Sequence, residues 1–138
     1  MSLPKRHSPP NKLSLRHAFE VEQARREAER FAREEAERRQ QEEDLFRAEQ
    51  LYDAVIGDPA FLAAHGLAVD WRRYTVMIES DAFLIRAYFE AGKASVAIGN
   101  KRQGAGASAT AAPLKREEVD SVAEALRLVA QFLADEIN

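Results

Sequence analysis

The stretch Gly99–Ala109, GNKRQGAGASA, has the glycine content and positive charge of a phosphate cradle. Gly99 and Gly104 keep the spacing of a nucleotide-binding loop. Ala105 and Gly106, however, stand where such a loop needs a lysine and a hydroxyl residue to reach phosphate and magnesium. Gly104, Gly106 and Ala109 match a dinucleotide-binding turn, but that turn must open a helix directly, and Thr110–Pro113 intervenes. The stretch is therefore read as a link between a strand and the last helix, with Lys101 and Arg102 offering at most a weak anion contact.

The other chemically capable residues point to binding rather than catalysis. His7, His17 and His65 have no second histidine three or four residues away to build a metal face, so no metal site and no cofactor is expected. Glu79, Asp81, Arg86 and Glu90 sit on or beside strand-like runs, where paired carboxylates can exchange protons. Alternation supplies a simpler account, placing Arg86, Tyr88 and Glu90 on the solvated face opposite Phe83, Ile85 and Phe89. Trp71, Arg86 and Tyr88 are the residues that would line a ligand pocket between sheet and helix, the basis of a reading as a small-ligand-binding or enzymatic domain. Lys5, Arg6, Lys12 and Arg16 form a basic arm without an acidic residue among positions 1–19, the basis of a second reading as a nucleic-acid-associated protein. Farther along, Glu20, Glu22, Glu27 and Glu29 cancel Arg25, Arg26, Arg30 and Arg33, which limits any phosphate-contacting surface to that arm.

Val21, Ala24, Ala28 and Phe31 recur at the 3 and 4 spacing of a helical seam. The same register continues through Glu35, Arg38 and Glu42 to Leu45, so the seam is apolar at its ends and charged in its middle. A regular coiled coil keeps apolar residues at those positions for three or four heptads, so this seam gives a coiled-coil signal only at its apolar ends. With nothing in its own chain to pack on, the Val21–Phe31 stripe leads to the expectation of self-association as a homodimer or higher oligomer, together with an unidentified protein partner.

These residues need elements to position them. Residues 1–13 hold three of the chain's prolines and little to bury, and are read as a disordered basic tail. Ser14 is placed to cap a helix, and no proline or glycine occurs from Leu15 to Ile56, a span of the order of 60 Å if wholly helical. Within it, REEAERRQQEED (33–44) is polar all round and must be held by local propensity and acid-first pairs such as Glu22–Arg26 and Glu34–Arg38. Residues 14–44 are thus expected to form a charged helical arm, and 45–138 a small globular domain on which Leu45, Phe46, Tyr52, Val55 and Ile56 dock.

Asp58-Pro59 signals the start of a short helix that Gly66 closes. Tyr74–Ser80, Phe83–Glu90 and Lys93–Gly99 read as three antiparallel strands joined by short turns, and residues 115–137 as an amphipathic helix with Glu117, Glu118 and Asp120 in its first turn. The fold class is α+β: a long charged helix, a short helix, a three-stranded meander and a C-terminal helix. Leu84, Tyr88, Val96 and Ile98 give the second sheet face apolar character of its own.

At 138 residues and 46% hydrophobic, the chain is sized for one modest domain with an appendage. Its net charge of −3 suits a soluble protein, and the absence of cysteine removes disulfide and thiolate chemistry. No apolar run reaches the length of a membrane span, so a cytoplasmic protein with no membrane partner is expected. The function read from these features is a non-enzymatic interaction module: an adaptor, assembly factor or regulatory subunit.

Overall fold

The computed structural model describes residues 13–101 and 115–137. Lys5, Arg6, His7, Lys12 and most of the glycine-rich stretch therefore lie outside the described residues. The chain divides into two units, Met1–Arg38 and Arg39–Asn138, and one helix, α1 (Leu15–Ile56), crosses the boundary without a break. Ser14 caps it, its hydroxyl accepting from the His17 amide at 3.2 Å.

In the second unit α1 is followed by a short helix α2 (Pro59–Ala64), five strands, and a last helix α3 (Val122–Ile137). The strands are β1 (Ala68–Arg72), β2 (Thr75–Glu79), β3 (Phe83–Glu90), β4 (Lys93–Asn100) and β5 (Lys115–Val119). They form one antiparallel sheet in the order β1-β2-β3-β4-β5. The meander thus has five strands, and the expected three form its centre. Both additions are edge strands. β1, AVDWR, alternates half-buried Val69 and Trp71 with exposed residues. β5, KREEV, is almost wholly charged and joins the sheet through its ladder with β4. A charged edge strand carries no apolar alternation to reveal it, and charge there discourages further strand addition. Consequently α3 begins at Val122 rather than residue 115, and Glu117 and Glu118 belong to β5. Its cap is Ser121, whose hydroxyl accepts from the Glu124 amide at 3.1 Å, while Glu124 accepts from the Asp120 amide at 2.9 Å.

Helices cover one face of the sheet. Cross-strand register sets which residues share it: Ile78, Ile85 and Ile98 form one row, and Val76, Ala87 and Val96 the next. Val96 and Ile98 therefore belong to the helix-covered face, where they are buried, and not to the opposite one as expected. Against these rows pack Ala48 and Leu51 of α1 and Leu128, Val129, Phe132 and Leu133 of α3. Each large side chain buried there contributes about 1.5–3 kcal/mol relative to an exposed one. Leu45 and Phe46 remain exposed. The docking stripe of α1 runs instead through Ala48 and Leu51, with Tyr52 and Val55 packed beside them.

Candidate interaction surfaces

Three regions of the structure have the chemistry to recognise something else. The first is the part of α1 up to Arg38. Its side chains hold one another: Glu22 accepts from both Arg25 and Arg26, the latter at 2.9 Å, Arg25 reaches Glu29 at 2.6 Å, and Arg38 pairs with Glu35. The guanidinium of Arg25, then that of Arg26, holds the Glu22 carboxyl below its ordinary value of 4.5, and Glu22 in turn raises Arg25. Such exposed pairs, together with strong helix formers, sustain the helix without burial of a stripe. Val21, Ala24, Ala28 and Phe31 follow one another along one side of it, all exposed, with Phe31 at 67%. Leu15 and Phe19, one turn apart, are exposed as well.

The second region is an apolar cleft of about 480 Å³ in the domain, between the end of α1, α2 and α3. Asp58 accepts from the Phe61 amide at 3.2 Å and, with Pro59 behind it, starts α2. Gly66, at φ 63, turns the chain out of α2 toward β1. This leaves Phe61 and Leu62 facing Leu126, Ala130, Ala134 and Ile137 of α3. The His65 ring lies 4.7 Å from that of Phe61 at the cleft edge. Sequence reasoning missed this site, although the Leu126-Ala130-Ala134-Ile137 spacing is a second helical seam beside the core stripe of α3.

The third is a polar cluster around Asp44, only 4% exposed on α1. Its carboxylate accepts from the amides of Ala91 and Gly92 at 2.9 and 3.0 Å, and from Gln40 at 3.1 Å. Arg47 lies 3.9 Å away, close over the turn. With three fixed donors on it, this carboxylate organises the β3–β4 hairpin.

The residues expected to line a ligand pocket are not brought together. Trp71 pairs with Val76 on the helix-covered face, donates to the Arg73 carbonyl at 2.8 Å and stacks at 5.3 Å on Tyr52. Arg86 and Tyr88 flank Ala87 in β3 and so lie on the other face, opposite Ala97 and Ser95. Nor do the carboxylates on the strands converge: Glu79 is engaged by Lys101 at 2.7 Å. Among the described residues no three His, Cys, Asp or Glu side chains cluster as metal ligands, and no helix is long and apolar enough to cross a membrane. Comparison of the chain with family models, with curated proteins and with solved structures found no match.

Proposed function

We propose that this protein is a non-enzymatic interaction module of the cytoplasm that self-associates partly through α1 and serves as an adaptor, assembly factor or regulatory subunit. The observation that carries this reading is the exposure of Val21, Ala24, Ala28 and Phe31 along one side of a helix already held by its own ion pairs. A preformed helix loses little conformational entropy on docking, so even a two-heptad apolar seam favours a partner helix. The small Ala24 and Ala28 allow close backbone approach between Val21 and Phe31. The dispersal of the polar groups supports binding over catalysis: Asp44 and Glu79 are each occupied by structural partners.

Sedimentation equilibrium of the full chain tests it. A dimer or larger species is expected at tens of micromolar, and Val21→Glu with Phe31→Glu should weaken that assembly while circular dichroism keeps its helical signal. A wild-type monomer throughout that range refutes self-association.

A further inference from the structure

The apolar cleft sits at the carbonyl ends of two helices, α1 and α3. The last turns of α1 and α3 contain no basic residue. They carry acids instead: Asp53 near the end of α1, and near the end of α3 Glu136 and Asp135, the latter paired with Lys115 at 3.0 Å. The carbonyl ends of two helix dipoles add to these acids, and Asp58 lines the cleft itself. An occupant should therefore be apolar at its tip and positive beside it. A fatty acyl chain fails on that count, because its carboxylate would meet the same negative ends.

The front of α1 has the opposite character. Leu15 and Phe19 lie one turn apart on one side, 87% and 60% exposed, with Arg16 beside them. The first turn contains no acid, the positive dipole end is there, and the chain has no acidic residue before Glu20. A cleft of about 480 Å³ falls in the range of roughly 300–1,000 Å³ that takes small organic groups, enough for two large side chains. We infer that the cleft receives Leu15 and Phe19 of a second copy of this chain, with Arg16 against the acidic ends of α1 and α3. The contact rests on the self-association reading above but uses different residues. Because the two surfaces differ, each copy offers one of each, a docking helix front and a receiving cleft.

The test uses three full-length variants and analytical ultracentrifugation. Leu15→Glu with Phe19→Glu removes the docking side chains, Ala130→Trp fills the cleft, and Glu136→Arg reverses a rim charge without entering the core. Each should weaken assembly at least about tenfold, equivalent to about 1.4 kcal/mol. Arg16→Glu combined with Glu136→Arg should recover most of that loss. Mixed together, with Val21→Glu and Phe31→Glu added to both so that the α1 seam is silent, the docking-deficient and cleft-filled variants should form a one-to-one heterodimer that grows no further, because each supplies the half the other lacks. No heterodimer in the mixture overturns the inference, as does unchanged assembly of both Ala130→Trp and Glu136→Arg. In the latter case loss of assembly in the Val21→Glu, Phe31→Glu variant leaves the proposed function standing. Native mass spectrometry that finds a small apolar molecule bound to the wild type and absent from Ala130→Trp also overturns it.

Discussion

The carboxylate of Asp44, on α1, accepts from the backbone amide of Gly92, at the tip of the β3–β4 hairpin, across 48 positions of sequence at 3.0 Å. The adjoining Ala91 amide is held by the other carboxylate oxygen at 2.9 Å. Ala91 and Gly92 both have positive φ, 53 and 83, the conformation that a two-residue turn needs to match strand twist. A non-glycine residue resists that conformation, and a buried anion facing its N–H is what offsets the cost.

Asp44→Ala should therefore destabilise the domain by about 2–4 kcal/mol, because two hairpin amides lose a charged acceptor and Arg47 loses one of its two counter-charges, Glu43 being the other. Asp44→Asn, which keeps one carbonyl acceptor, should lose about half as much. Urea denaturation followed by tryptophan fluorescence reads both, since Trp71 packs beside Tyr52 of the same helix.

At the turn itself, Gly92→Val should cost about 1–3 kcal/mol through backbone strain, whereas Gly92→Asn should be close to neutral. A Cβ at Gly92 would lie 3.4 Å from the tip of Arg47, a side chain that can move, so φ and not space decides the outcome. Thermal melts of the two variants distinguish these causes.

Leu51 is fully buried where α1 meets the sheet. Truncation to alanine should cost about 2–5 kcal/mol, while Phe46→Ala, on the same helix and exposed, should change stability by less than about 0.5 kcal/mol. An inverted order in chemical denaturation would show that a different stripe of α1 docks.

Amide exchange should be uneven along α1. From Leu15 to Arg38 the helix is held by exposed ion pairs and local propensity, and its amides should exchange orders of magnitude faster than those of β3 and β4. Mass-spectrometric exchange at low protein concentration checks this, and rising protection of residues 15–31 with concentration would report association.

Glu22 should titrate below 4.5, because Arg25 and Arg26 favour its charged form. A carboxyl with a folded pKa below its unfolded one adds stability that is present above the unfolded value and lost as pH falls through the folded one. Carbon-detected NMR of the Glu22 carboxyl should show that lowered midpoint, and Arg25→Gln should return it toward 4.5.

Much of this architecture was legible in the chain. The caps at Ser14 and Asp58, the turn at Ala91-Gly92 and the three central strands follow from local chemistry: a side-chain oxygen beside orphan amides, a glycine where φ is positive, apolar residues at alternate positions. The absence of any breaker permitted a helix from Leu15 to Ile56, but that it runs unbroken was decided by the structure. The edge strands were not legible. Lys115–Val119 has the composition of a charged helix start and became a strand because β4 offered an unpaired edge.

What the sequence by itself determined is the set of local preferences and the exposed Val21–Phe31 stripe, since both depend on residues within a few turns of one another. Tertiary structure alone decided that Val96 and Ile98 face the helices, that Trp71 and Tyr88 lie on opposite sides of the sheet, and that Asp44 meets Gly92. It also made the cleft between Phe61 and Leu126, which belongs to no single segment. Register between strands and the seating of a helix are set by the packing of distant side chains, and no window of neighbouring residues contains that information.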